Sequence, residues 1–271
     1  MPAVRLPDGG GREPRKVTAE MWLRLALVPA AVWLASLAGR RWGHSVSGYL
    51  GGLPLIGGPI TLFLALDLGT AFAAKSALFT LGAVLGQGAH LMALAHVGQR
   101  RGWVAALAAG WGAFALAALM VALLPLTLGL AFLLAAGALA AAWRWLPRDR
   151  SESARPSIPA MELRLRLVAA FALAGLILWS APLFGPMASG ILLSLPITGS
   201  IMPPFTLALY GPGALARLIR GFVVGLSGFT AFFLVVAATL VPLGVAASFG
   251  AAIAAALLAL FCANRWTRAA G

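Results

Sequence analysis

Cysteine and charge are scarce in this chain, and these two shortages exclude several classes of protein. The 271 residues include one cysteine, Cys262, so the chain can form no internal disulfide and offers no cysteine cluster to a metal. Charged residues make up 10% of the chain, whereas an average soluble domain has about 25%. With 61% hydrophobic residues, the chain has too little polar surface for a soluble fold.

Acidic residues are especially few, with 7 of them against 20 lysines and arginines and a net charge of +13. The sequence contains no carboxylate pair, no HExxH motif and no serine-nucleophile elbow, so we expect no enzyme, no catalytic residue, no metal site and no cofactor. An enzyme acting on lipids is disfavoured by the missing acid–base pair. Because no GxxxxGK[ST] loop occurs, this chain alone is not an ATP-driven pump.

The excess of arginine would suggest a nucleic-acid partner in a soluble protein. Here the arginines cluster in short loops between apolar runs, which is typical of loops that stay on the cytoplasmic side of a membrane. We therefore expect no nucleic-acid partner.

Apolar runs of about 20 residues follow one another along the chain, which is the length that a helix needs to cross a bilayer. They predict an all-α polytopic membrane protein that has the lipid bilayer as a partner. Residues 1–20 are polar and are predicted to be a disordered tail. The predicted spans lie at about 21–39, 46–66, 71–98, 103–121 and 125–145, and further spans follow a polar linker at 147–160.

The second half of the chain repeats the first. Three segments match in the same order, with an offset that increases from 140 to 142 and 143 residues. We interpret this as two four-span repeats, 21–121 and 161–271, joined by a linking span at 122–146, which gives nine spans. Because a single span links two repeats of four spans each, the second repeat would be inverted relative to the first. The matches are MWLRLALV (21–28) with MELRLRLV (161–168), SGYLGGLP (47–54) with SGILLSLP (189–196), and FLALDLGTAFA (63–73) with FTLALYGPGALA (205–216).

The duplication and the arginines orient the spans. Because 21–39 has a counterpart inside the chain, we interpret it as a retained span and not as a signal peptide. With the linker in the cytoplasm, nine alternating spans also place the arginine-bearing loops there and the N-terminal tail outside. If the broken segments were re-entrant, the tail would be inside and three of the arginine pairs outside, so the side of the N-terminus stays open. The arginine pairs are 40/41, 100/101, 217/220 and 265/268, of which re-entrant segments would leave only 100/101 inside.

Glycine and proline interrupt the second apolar segment of each half, within SGYLGGLPLIGGP (47–59) and LPITGSIMPP (195–204). Free backbone groups cost several kcal/mol in hydrocarbon, so a break must face protein or a water-filled cavity. Paired breaks in two repeats predict a transport site, where half-helix N-termini suit anions and freed carbonyls suit cations. Close helix packing is the alternative interpretation. The candidates at the breaks are Gly57, Gly58, Pro59, Thr198, Gly199 and Ser200.

Ionisable side chains inside spans are the other candidates, because they are rare there and usually functional. Asp67 could carry a proton or bind a cation, or it could cap the helix that begins near Thr70. Lys75 could pair with Asp67, meet an anionic solute or extend to the interface. Gln87 and His90 are three residues apart and share one helix face. Of these, His90 is the best candidate for proton coupling.

The second half offers a different set of polar residues. With an offset of 143, Asp67 corresponds to Tyr210, Gln87 to Thr230 and His90 to Phe233, so a site between the halves would be chemically asymmetric. Tyr210 is therefore a candidate opposite Asp67. Arg217 is either a topology anchor or a ligand for a carboxylate or phosphate.

Two stretches resemble a family of bacterial inner-membrane proteins with an internal duplication. They are GGLPLIGGPITLFLALDLG (51–69) and LPITGSIMPPFTLALYGPGALARLIRG (195–221). They are distantly similar to small membrane proteins of the GlpM type, as if two such units were joined. The resemblance covers under a fifth of the chain and implies a duplicated membrane architecture, but it supplies no substrate and no site residue.

The leading functional hypothesis is a secondary transporter that moves a small solute by alternating access, with or without proton coupling. The alternative is an assembly or accessory subunit of a membrane complex, which the absence of a dense set of buried charges favours. The sequence leaves open whether the chain forms a homo-oligomer or binds a membrane partner.

Overall fold

A computed structural model describes residues 48–147 and 160–269, together with the isolated positions 26, 29, 30 and 33. The predicted tail 1–20, almost all of the first span and most of the linker lie outside the described residues. Within the described part, every regular element is an α-helix. A helical stretch at 48–52 comes first. It is followed by α1 (Gly57–Leu68), α2 (Thr70–Gly82), α3 (Val84–Gly98), α4 (Trp103–Leu123), α5 (Leu128–Trp145), α6 (Ala160–Leu193) and α7 (Ile197–Ala269).

Alanine and leucine favour helix throughout, and local signals set the helix ends. The extended residue Gly102 precedes α4, which ends before Pro125, since the residue before a proline disfavours the α region. Thr127 caps α5, and its hydroxyl accepts a hydrogen bond from the Leu130 amide at 3.3 Å. The predicted spans 103–121 and 125–145 correspond to these two helices.

Glycines produce the sharp bends between helical segments. Gly185 bends α6, and both Gly211 and Gly244 bend α7. Their φ values lie between 73° and 78° with ψ close to 180°, a backbone conformation that is almost confined to glycine. Gly69, between α1 and α2, has φ 89° and ψ 161°. Each bend therefore depends on the absence of a Cβ atom.

The consecutive helices α2 and α3 form the centre of the molecule. The stretch Thr70–Gly98 is the most buried of the apolar stretches, and it packs against helices that follow it in the chain. The core is made of large side chains that are almost fully buried. Examples are Leu81, Leu94, Ile177 and Phe233, each at 0% exposure.

The outer surface is apolar. Leu116, Leu133, Trp179 and Leu258 are each more than 60% exposed, which lipid would solvate and water would not. Among the residues that the structure describes, five stretches are long and apolar enough to cross a membrane. They are Gly48–Leu68, Thr70–Gly98, Trp103–Leu123, Leu128–Trp145 and Ala160–Thr267. The chain is thus a membrane-embedded helical protein.

Glycines also let helices from the two halves of the chain touch through their backbones. A Cβ atom at Gly48 would lie 2.2 Å from the Leu218 carbonyl oxygen, and one at Gly190 would lie 2.4 Å from the Ser76 carbonyl oxygen. Small residues at such crossings are the usual means of close helix packing in membranes. The Thr80 hydroxyl adds a hydrogen bond to the Gly190 carbonyl at 3.0 Å.

Candidate functional site

The first broken helix is interrupted only at 53–56. Residues 48–52 are helical, and α1 begins at Gly57. The observed break is therefore narrower than the predicted one, 47–59. The Leu53 amide donates to the Leu50 carbonyl at 3.3 Å, and the Leu55 amide donates to the Leu53 carbonyl at 2.8 Å. Pro54, between them, has no amide hydrogen to satisfy.

The second broken helix repeats this geometry. Between the end of α6 and the start of α7, the Leu195 amide donates to the Leu192 carbonyl at 3.1 Å. The Ile197 amide donates to the Leu195 carbonyl at 2.8 Å. Both bonds lie 142 residues after their counterparts in the first break. The non-helical residues are confined to 194–196, and the predicted interruption through Pro203 and Pro204 is wrong because both prolines stay inside α7.

The two breaks line one cavity of about 70 Å³. That space would hold a few water molecules, at about 10–15 Å³ each, or one small solute. Most of the lining is apolar, and the polar side chains that the described residues contribute to it are Gln87, Arg166 and Thr198. The lining residues are Leu50, Gly51, Gly52, Leu53, Leu55, Ile56, Gly57, Gln87, Leu91, Arg166, Leu173, Leu193, Leu195, Pro196, Ile197, Thr198, Gly199, Met202, Phe222, Leu226 and Phe229.

Gln87 joins α3 to the second break. Its side chain is 8% exposed, and its Nε2 donates to the Ser194 carbonyl at 2.9 Å. That carbonyl belongs to the interruption between α6 and α7, where the helical hydrogen-bond ladder stops. Gln87 therefore satisfies one of the backbone groups that the break exposes.

His90 makes a similar contact one turn further along α3. It is fully buried, and its Nε2 lies 3.2 Å from the Gly199 carbonyl oxygen. Four residues after Gly199 stands Pro203, which has no amide hydrogen, so this carbonyl lacks its helical donor. The bond assigns the hydrogen of the neutral imidazole to Nε2. His90 thus supports the proline-containing start of α7 from behind the cavity wall.

An ion pair is buried beside the cavity. Arg166 donates to the Glu162 carboxylate one turn earlier in α6, and each residue is 5% exposed. Arg166 also lines the cavity, whereas Glu162 does not. Six residues separate Arg166 from the start of α6, which places it about 9 Å along the helix axis. A buried pair of this kind keeps both charges only because each partner compensates the other.

The cavity brings together some of the predicted candidates. Gly57, Gln87, Thr198 and Gly199 line it, and His90 contacts Gly199 from behind. The others are not among its lining residues. Those others are Gly58, Pro59, Ser200, Tyr210 and Arg217, together with the exposed Asp67 and Lys75.

The predicted capping role of Asp67 is wrong. The N-cap of α2 is Gly69, and no side chain caps it. The positive φ of Gly69 sets the turn into α2 instead.

Arg166 is the cavity residue that the sequence analysis missed. It stands in MELRLRLV (161–168), which served only to align the repeats, and its position near a span end is typical of an interfacial arginine. The available signal was Glu162, an acid four residues earlier on the same helix face, since this spacing favours an ion pair. Neighbouring Arg164 is exposed, so the two arginines differ through helix periodicity alone.

Comparisons of the chain with protein-family models, curated proteins and solved structures found no significant match.

Proposed function

We propose that this protein is a secondary transporter of a small solute, which works by alternating access between two inverted repeats in the bacterial inner membrane. The observation that carries the proposal is that two broken helices, with the same hydrogen-bond pattern, line one cavity. Interrupted helices at corresponding positions of two repeats are typical of transporter binding sites.

Reciprocal contacts between the halves support a repeat arrangement. Gly48 approaches Leu218 and the Phe222 amide, and Gly190 approaches Ser76 and the Thr80 amide. Adding 142 to the first residue of one contact and subtracting 142 from its partner gives the other contact. Such an exchange of partners is the property of a two-fold relation.

The same offset relates the bends, since Gly211 follows Gly69 by 142 residues. The offset of 143 predicted for this segment is therefore replaced by 142 in the proposal. Gln87 then corresponds to Phe229 and His90 to Phe232. The two halves would share a scaffold, but the polar side chains Gln87 and His90 on α3 would have only phenylalanines as counterparts in the second half.

The proposed mechanism uses the breaks as the binding surface. In a continuous membrane helix the backbone amides and carbonyls bond to one another, whereas a broken helix leaves some of them available to a solute. Rocking of one repeat against the other about the glycine crossings would open the cavity to each side in turn. No enzyme activity or cofactor is part of this proposal.

An assembly or accessory subunit is the second candidate. It is favoured by the small number of charged groups at the cavity, where Arg166 is the only charged lining residue within the described part of the chain. This candidate predicts a stable partner on co-purification, together with substitutions on outward helix faces that matter more than those at the breaks.

Cysteine accessibility combined with uptake tests the transport proposal. In a Cys262→Ser background, Thr198→Cys places a thiol at the cavity, and Leu257→Cys places one on an exposed apolar position. We expect a membrane-impermeant maleimide to label the first variant and not the second. Labelling should abolish uptake by proteoliposomes screened with small anions, polyols and organic cations. Two results together would contradict transport: no uptake of any solute by the proteoliposomes, and no effect of labelling on the cells that carry the protein.

A further inference from the structure

We infer that the cavity binds a small monocarboxylate anion on Arg166, and that Glu162 occupies this arginine when the anion is absent. The inference deepens the proposed function and rests on it for the idea that the bound anion is carried across the membrane. Binding itself requires only the cavity and its lining, so it can be tested separately.

The charge of the lining favours an anion over a cation. Within the described part of the chain, Arg166 is the only charged residue on the cavity wall, and no lining residue is acidic. A guanidinium presents parallel N–H groups that match the two oxygens of a carboxylate. A cation in the same space would meet the guanidinium, and no lining residue of the described part would supply it with a carboxylate ligand.

Three backbone carbonyls at the breaks already accept hydrogen bonds, which makes them weaker ligands for a cation. The Leu53 carbonyl accepts from Leu55, the Leu195 carbonyl accepts from Ile197, and the Ser194 carbonyl accepts from Gln87. These are the oxygens that would otherwise coordinate a cation at a broken helix.

Hydrogen-bond donors remain available around the same cavity. The helices α1 and α7 both begin there, at Gly57 and Ile197, and the N-terminus of a helix carries a partial positive charge. The Gln87 Nε2 carries two hydrogens, of which Ser194 accepts one. The Thr198 hydroxyl on the cavity wall is a further donor.

Glu162 has the chemistry of the proposed ligand. Its carboxylate binds the Arg166 guanidinium from within the same helix, in a pair that is almost fully buried. A free carboxylate entering the cavity would compete with it for the same N–H groups. The pair therefore keeps the arginine compensated in the empty cavity and weakens anion binding by competition.

The size of the cavity limits the anion. A volume of about 70 Å³, surrounded mainly by leucine, phenylalanine and glycine, suits formate or acetate better than larger di- and tricarboxylates. The apolar part of the lining would surround the methyl group of acetate.

Acetate binding to the purified full-length protein in detergent tests the inference, measured by titration calorimetry and by the shift in thermal unfolding. We expect Arg166→Gln to weaken acetate binding by about tenfold or more. Arg164→Gln, an exposed arginine on the same helix, is the matched control and should bind acetate like the wild type. Glu162→Gln should bind acetate more tightly, because it removes the internal competitor.

A second variant protects the test against misfolding, since removing one partner of a buried pair is strongly destabilising. The double substitution Glu162→Gln with Arg166→Gln removes both charges and should fold but not bind acetate. Wild-type affinity in Arg166→Gln or in the double variant would overturn the inference. It would equally be overturned if neither formate nor acetate bound while ammonium or a neutral solute did.

Failure of the inference and failure of the proposed function give different results. Uptake of a neutral or cationic solute, unaffected by acetate, would retain the transporter and reject the anion. Acetate binding through Arg166 without any uptake would retain the site and reject transport.

Discussion

At the scale of single residues, a proline and a histidine act together. Pro203 deprives the Gly199 carbonyl of its helical donor, and His90 supplies a replacement from α3 at 3.2 Å. The bond from His90 compensates for Pro203, which remains inside a helix that the sequence predicts to be broken there. The polar side chain on α3 is thus required by the backbone chemistry of α7.

We expect His90→Phe to lower the free energy of unfolding by about 1–3 kcal/mol, because it leaves the buried Gly199 carbonyl without a donor. Phenylalanine is the substitute because Phe232 and Phe233 pack on Gly58 and Gly57 at the corresponding break. Unfolding in detergent with increasing dodecyl sulfate, followed by tryptophan fluorescence, measures the change.

The control is His96→Phe on the same helix. His96 is exposed and bonds to the Met92 carbonyl of its own helix at 2.8 Å, so its loss should change stability by less than about 0.5 kcal/mol. Equal stability of the two variants would show that the Gly199 contact contributes nothing.

At the scale of helices, the bends are a property of glycine backbone. Gly211 has φ 78° and ψ −176°, and a Cβ atom there would meet nothing within 4 Å. Any cost of a side chain at this position is therefore conformational and not due to a collision.

We expect Gly211→Ala to destabilise the protein by about 1–3 kcal/mol through this strained backbone. Gly250→Ala is the matched substitution, because Gly250 lies in the same helix with ordinary helical backbone and open space around its Cα. It should stabilise the protein by about 0.5–1 kcal/mol. Thermal unfolding of both variants in one detergent measures the difference, and effects of the same sign would refute the backbone explanation.

Helix boundaries followed from the sequence more reliably than contacts did. The ends at Gly102 and before Pro125 depend on local chemistry, and the prediction placed α4 and α5 within a few residues. The matching LP dipeptides also indicated where both breaks lie. The helical state of Pro203 could not be predicted in the same way, because it depends on a donor from another helix.

The same reason explains the cavity residues. Gln87 and His90 were identified because they are polar in an apolar span, but their partners Ser194 and Gly199 are more than 100 residues away in the chain. Arg166 was missed because its burial depends on the packing around α6. Asp67 and Lys75 stand out equally in the sequence, yet both are exposed.

At the scale of the whole molecule, each half of the chain supports the other. Gln87, His90 and Thr80 each bond to a backbone carbonyl beyond the linker. Arg220 does the reverse: it donates to the Trp143 and Leu146 carbonyls at 3.4 and 3.3 Å and stacks on the Trp143 ring at 3.9 Å. It thereby holds the C-terminal end of α5, where a positive charge is favourable.

We expect the two halves to reassemble when they are expressed as separate chains, 1–147 and 160–271, in one cell. Each half alone would expose the glycine crossings and unbonded carbonyls that the other half covers, and such groups are costly in hydrocarbon. An affinity tag on the second half should therefore recover the first in equal amount after detergent extraction. Arg220→Gln should reduce this recovery, whereas Arg100→Gln, an exposed arginine, should not. Recovery of either half as a stable, monodisperse protein without its partner would contradict the interdependence that these contacts imply.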